Sequence, residues 1–173
     1  GDTNYAKDGR IVFDSYRKRF FLVFQSREAI ARLLIAVSKS EDPRDGWWTY
    51  ADTVGSTSEP AHDYQRIGVN ATRLIVSNNM VSAWTNGSFT RTRHLMYTAA
   101  DMVAGKPYSR TEWWNSKANN AAPCVHDSYT TDVFLVHRDD DTHATVWAIR
   151  NGSVTSRQIT IQASANVVNG TQI

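Results

Sequence analysis

The chain has 173 residues, 41 % of them hydrophobic, with 19 basic against 17 acidic side chains and a formal charge of +2 at neutral pH. That length suffices for one sizeable core, the near-balance of charge argues against the strong field of a nucleic-acid binder, and no apolar run reaches the ~18–20 residues of a membrane span. The single cysteine, Cys124, excludes an internal disulfide framework and reads as a small buried side chain.

The chain begins at Gly1 without Met, as a processed or trimmed product does. Along it one phrase occurs three times, a polar turn followed by a short apolar run, opening at Asp14, Asn70 and Asp127. A fixed period of this size points to a repeat architecture. Short strands precede each turn at Arg10–Phe13, Gln65–Val69 and Pro123–His126. The first copy continues through Phe20–Phe24 and Arg32–Ser38. Asp42-Pro43-Arg44-Asp45-Gly46 then forms a turn before the Trp-rich strand Trp47–Tyr50. The second continues through Leu74–Ser77 and Arg93–Tyr97, a helical turn or two at Ala99–Ala104 ended by Gly105-Lys106-Pro107, and Glu112–Trp114. The third continues through Val133–Val136, a hairpin tip at Arg138–Thr142, Ala144–Ile149, an Asn151-Gly152 turn suited to a tight hairpin, and Val154–Ile161.

Four strands per copy, three times, predict an all-β chain of β-propeller type. Its four-stranded antiparallel blades lie at about 8–52, 62–116 and 122–162, with a tail over 163–173. Closed propellers use typically ~4–8 blades, so three leave two sheet faces bare. Phe20, Leu22, Phe24 and alternate residues of Val133–His137 line them. Either the chain is a piece of a longer one, or other copies of itself complete it as a ring or filament.

Several stretches resemble a secreted, sialidase-like β-propeller family, most members of which have no assigned activity. They are Leu33–Tyr50, with Ile35-Ala36-Val37-Ser38 and Gly46-Trp47-Trp48, then Asp63-Tyr64 ahead of Ile67-Gly68-Val69, and Asn78-Asn79-Met80 after Val76. The likeness covers about residues 8–107 and, more weakly, 122–161. It implies a secreted or cell-surface protein, and it implies that Asp63-Tyr64 opens a blade on the central-channel side, where propellers often bind ligands. Tyr64-Gln65-Arg66 resembles the sialidase arginine motif without its Pro. Ser40–Trp47 resembles the aspartate box with Asp42 and Gly46 too far apart. Glu28, Glu41 and Glu112 have no sequence-visible Tyr partner.

Asp63, Tyr64 and Arg66 are therefore the first ligand-binding candidates, against a plain strand-entry hydrogen bond at Asp63. In Trp47-Trp48 and Trp113-Trp114 alternation sends one ring inward and one outward. Trp48 and Trp114 are thus candidates for sugar stacking or for packing between blades. Asp139, Asp140 and Asp141, between His137 and His143, offer the oxygen ligands that calcium takes, against a hydrated acidic hairpin tip. A Cys124–His126 nucleophile pair lacks a third orienting group. The basic clusters Arg17-Lys18-Arg19 and Arg91-Thr92-Arg93 read as charged turns and edges. Four glycosylation sequons, at Asn70, Asn86, Asn151 and Asn169, fall in expected turns or the tail. The whole reads as a non-enzymatic extracellular module for binding or assembly, glycosylated and part of a surface or filamentous structure. The alternative is a carbohydrate-active propeller, glycosidase or lectin, with glycan partners.

Overall fold

The computed structural model describes residues 6–161. The described residues are all-β: 57 % of them are in strands, far above the ~20–25 % of an average globular domain. Among the described residues, twelve strands form three four-stranded antiparallel sheets, each taken in chain order. The first holds β1 (Ala6–Asp14), β2 (Arg19–Ser26), β3 (Arg32–Ser38) and β4 (Trp47–Thr53), with a 3₁₀ turn at Pro43–Asp45. The second holds β5 (Ala61–Val69), β6 (Arg73–Val81), β7 (Phe89–Thr98) and β8 (Arg110–Asn115), with helix α1 (Ala99–Val103) between the last two. The third holds β9 (Ala122–Pro123), β10 (Val133–Arg138), β11 (His143–Arg150) and β12 (Ser153–Thr160).

Side-chain alternation explains how the sheets stack. In β6 and β7, Leu74, Val76, Leu95 and Tyr97 join Phe21, Val23, Leu33, Ile35 and Val37 of the first sheet in one core. The intervening Ile75 and Met96 join Val133, Leu135, Trp147 and Ile149 of the third sheet in another. The second sheet is thus covered on both faces, which is why β6 is buried over seven successive residues, Leu74–Met80. Among the described residues, the outer sheets are covered on one face only. Phe24, Leu34 and Ala36 line an open apolar groove on the far face of the first. Val146, Ala148 and Ile159 do so on the far face of the third. Every residue of β12 is exposed.

The first strands of the sheets converge. Gly68 of β5 lies so close to the Cys124 carbonyl that any Cβ there would clash, which accounts for a glycine in mid-strand. The expected strand Pro123–His126 is corrected: β9 is two residues long. Pro123 supplies no N–H, the Cys124 N–H makes one last bond to the Phe134 carbonyl at 3.0 Å, and the chain then turns so that the His126 N–H donates to the Val69 carbonyl at 3.0 Å. The Asn151-Gly152 turn is as read, with φ of 47° and 82°.

The repeated Asp/Asn position proves to be a staple between sheets. Asp14 Oδ1 accepts from the Tyr16 and Arg17 N–H groups, closing the turn. The Arg17 guanidinium pairs with Asp14 and donates to the carbonyls of Asn70 and Ala71 in the second sheet. One repeat later, Asn70 Oδ1 accepts from the N–H groups of Thr72 (3.0 Å) and Arg73 (2.8 Å). Its Nδ2 donates to the carbonyls of Thr131 (3.2 Å) and Asp132 (2.9 Å) in the third sheet. Asn70 thus lies in the expected turn, but it is only 2 % exposed and faces the third sheet, not solvent. The third copy departs from the pattern: Asp127 is exposed, and Thr130 Oγ1 accepts from the Asp132 N–H in its place.

Candidate functional site

The residues singled out from sequence fall in four places. Asp63, Tyr64 and Arg66 lie on β5, at a bulge where the register slips between Asp63 and Arg66 and Tyr64 takes a φ of 58°. A bulky residue in that region is an outlier that invites a functional reading. The first sheet weighs against it: β1 slips between Lys7 and Arg10, with Asp8 at a φ of 51°. The bulge is thus part of the repeated unit, and the two interlock, because Gln65 Nε2 donates to the Asp8 carbonyl. Tyr64 and Arg66 do come together, the guanidinium 5.0 Å from the ring centroid and donating to the Asn120 carbonyl at 3.0 Å. Asp63 turns back on the backbone, accepting from the Tyr64 N–H at 2.9 Å.

Trp48 and Trp114 sit on the fourth strands, far from that bulge in each sheet's order. Trp48 lies on the side of β4 that faces the second sheet, against Gly105 and under the Lys39 ammonium at 4.4 Å. It serves packing between sheets. Trp114 is 52 % exposed and lies under Arg91 at 5.1 Å.

The acidic hairpin tip is tied up by its own loop. Asp140 accepts from the N–H groups of Thr142 and His143, and its carboxyl is held well below the usual range by the Thr142 backbone and hydroxyl and by His143. Asp139 accepts from Thr145 and Gln158, and Asp141 pairs with Arg138. His137 is opposite Thr145, so His137 and His143 are not cross-strand partners. No group of three or more metal-ligating side chains occurs among the described residues. Cys124 is half-buried, its thiol pushed up by burial, with no hydrogen bond to His126.

The tyrosine–carboxylate pair that sequence reading missed is Tyr97–Asp52. Tyr97 donates to Asp52 at 2.6 Å, Arg110 pairs with the same oxygen, and Arg93 pairs with Glu112 beside it. A nucleophilic tyrosine needs access and a lowered pKa. Tyr97 is wholly buried, and burial with the Asp52 charge pushes its hydroxyl well above its ordinary value. The cluster locks the first sheet to the second. Glu59, also overlooked, holds Arg91 and Thr90 in the same region.

Two buried histidines complete the polar interior of the second sheet. His62 Nε2 faces the Arg32 carbonyl at 3.3 Å, its Nδ1 faces Asn78 Oδ1 at 3.2 Å, and Asn78 Nδ2 has no partner. Turning the Asn78 amide over makes Nδ2 the donor to His62 Nδ1, leaves the Nε2–H to donate to the Arg32 carbonyl, and so assigns a neutral His62 protonated at Nε2. Burial, the dominant influence, lowers the His62 pKa accordingly. His94 bonds Ser77 Oγ at 2.7 Å and stacks on Trp113 with centroids 5.1 Å apart. With Ser77 and His94 both buried, no substrate reaches this Ser–His pair.

Two mixed polar and apolar clefts open between sheets. One of about 240 Å³, between the first and second, is lined by Gln25, His62, Asp63, Trp84 and Asn86. One of about 410 Å³ lies between the second and third, with Arg73, Met96, Trp113, Val133 and Ile149 in its wall. Comparison with family models, with curated proteins and with solved structures returns no match.

Proposed function

We propose that the chain is a non-enzymatic, extracellular β-propeller module that assembles through its end faces, its three sheets being three blades. The observation that carries this is the kind of face left bare at each end. Asp14 and Asn70 are equivalent, so Phe20 of β2 matches Leu74 of β6, and Leu22 matches Val76. The far face of the first blade is thus the counterpart of the face that the second blade packs against the first. The far face of the third blade, with Val146 and Ala148, is the counterpart of the one the first blade offers the second. A front and a back are therefore open on one molecule, the arrangement for head-to-tail addition of further blades or further copies. Each large apolar side chain so covered contributes about 1.5–3 kcal/mol.

Light scattering tests the reading. The chain is expected to run heavier than a monomer at low micromolar concentration, and Leu34→Glu, on the open first-blade face, is expected to shift it towards monomer. A compact wild-type monomer that does not associate ends the proposal.

The extracellular part of the reading rests on the sequons. Asn86, in the loop between β6 and β7, and Asn151, at the β11–β12 turn, are exposed and open to an oligosaccharide. Asn70 is not, and Asn169 lies outside the described residues. Peptide mass spectrometry of native material is expected to find glycan on Asn86 or Asn151 and none on Asn70. A glycosylated Asn70, or bare peptides at both other sites, contradicts this.

A further inference from the structure

The 410 Å³ cleft between the second and third sheets has a counterpart between the first and second that the chain itself fills. Between the first and second sheets the wedge is plugged by the connection from β7 to β8. That connection carries α1, whose Met102 is wholly buried in the core, and Tyr50 of β4 donates to the Met102 carbonyl at 2.9 Å. Tyr108, from the same connection, packs edge-on against Tyr50 and Tyr97. In the third sheet the corresponding connection, from β11 to β12, is the two-residue turn Asn151-Gly152, which reaches only the rim of the next wedge. Met96, Val133 and Ile149, each under 10 % exposed, and Trp113 form the apolar part of the cleft wall, with no segment seated between them and solvent among the described residues that matches α1 in the first wedge.

The arginines at the two wedges differ as well, although each has one buried guanidinium nitrogen without an acceptor, Arg19 Nε and Arg73 Nη1. By register Arg19 in the first sheet and Arg73 in the second are equivalent. Arg19 Nη1 donates to the carbonyls of Arg17 (3.2 Å) and Lys18 (2.8 Å). Among the described residues the Arg73 guanidinium, in the cleft wall, makes no hydrogen bond or ion pair, its Nη1 being buried without an acceptor, and Glu112 at the same cleft is already engaged by Arg93. A buried guanidinium N–H without an acceptor is costly, and the planar fork suits a carboxylate. We propose that this cleft is a binding site for a small organic carboxylate with an apolar body. Arg73 takes the carboxylate, and Trp113, Met96, Val133 and Ile149 cover the body. The volume lies within the ~300–1,000 Å³ of small-molecule sites. The site lies wholly within one chain and stands whether or not the end faces associate.

The test is heteronuclear NMR of the whole chain with 3-phenylpropionate as the probe at millimolar concentration. Shifts are expected at Arg73, Trp113 and Ile149. Acetate, which lacks the body, and 3-phenylpropanol, which lacks the charge, are expected to bind at least about tenfold more weakly. Arg73→Gln is expected to weaken 3-phenylpropionate by about tenfold or more, with Arg73→Lys retaining part of the affinity. Equal binding of 3-phenylpropanol, or an Arg73→Gln affinity equal to wild type, overturns the proposal. Should Arg73→Gln fail to fold, the wild-type map decides alone: shifts absent, or confined to another part of the surface, overturn it as well.

Discussion

Replacing Asn70 by alanine is expected to lower the stability of the chain by about 3–5 kcal/mol, a large part of the ~5–15 kcal/mol that holds a domain together. Asn70 is a small side chain with a large share of the polar bonding between sheets. It closes its own turn through two N–H groups and reaches two carbonyls of the third sheet. Truncation removes four hydrogen bonds to the backbone and leaves buried backbone groups unpaired, which costs more than the bonds are worth net. The repeat offers a sharper variant, because the equivalent residue in the first sheet is Asp14. Asn70→Asp keeps the oxygen that closes the turn but sets a buried carboxylate against the Thr131 and Asp132 carbonyls. It is therefore expected to be at least as damaging as alanine, although aspartate is native one repeat earlier. There Arg17 neutralises it; at the second turn the position held by Nδ2 faces the two carbonyls instead. Urea denaturation followed by tryptophan fluorescence measures both variants. A loss for Asn70→Ala under about 1 kcal/mol, within the worth of one ordinary hydrogen bond, refutes the staple.

The strands were legible because their signals are local. Alternation and turn chemistry mark β2, β3, β10 and β11, and the repeat period gives the grouping into three sheets. The short α1 was legible from its Gly-Lys-Pro stop. What sequence reading missed depends on partners many residues away. Nothing local distinguishes Asn70, whose Nδ2 bonds lie across to residues 131 and 132, from an exposed turn asparagine. Pro123 hinted at the shortness of β9, yet the competing bond from His126 to Val69 belongs to another sheet. Tyr97–Asp52 joins two strands that only tertiary packing brings together. The open cleft is a different case. Its signal was present in the contrast between the long Ala99–Ser109 connection and the two-residue Asn151-Gly152 turn, but length alone does not reveal that the longer one plugs a wedge. The resemblance to a secreted propeller family likewise gave an order of motifs but no side-chain partners.

The second large effect is expected with pH, and its centre is His94. Burial pushes the imidazole down to about 3, and its Nε2 has no partner in the interior. The unfolded chain protonates the same group near its ordinary value of about 6.5. Above that pH both states are neutral and the group adds no pH dependence. As pH falls below about 6.5 the unfolded state binds a proton that the folded state refuses, so stability drops by about 1.4 kcal/mol per pH unit until about pH 3, where the folded state also binds it. His62, lowered chiefly by burial, acts in the same direction. Glu59 adds to the acid loss: burial alone would raise its pKa, but the hydrogen bonds from Arg91 and Thr90 outweigh that and hold it below the usual range. The double variant Ser77→Ala, His94→Phe isolates the His94 share. It removes both partners of the Ser77–His94 bond together and keeps a ring against Trp113, an exchange that is close to neutral where shape is conserved. Stability measured at about pH 7.5 should change little, whereas the loss on going to about pH 4.5 should shrink by about 2 kcal/mol or more. A wild-type His94 resonance that titrates near its ordinary value, or an acid loss that the double variant leaves unchanged, means that the interior of the second sheet tolerates the charge.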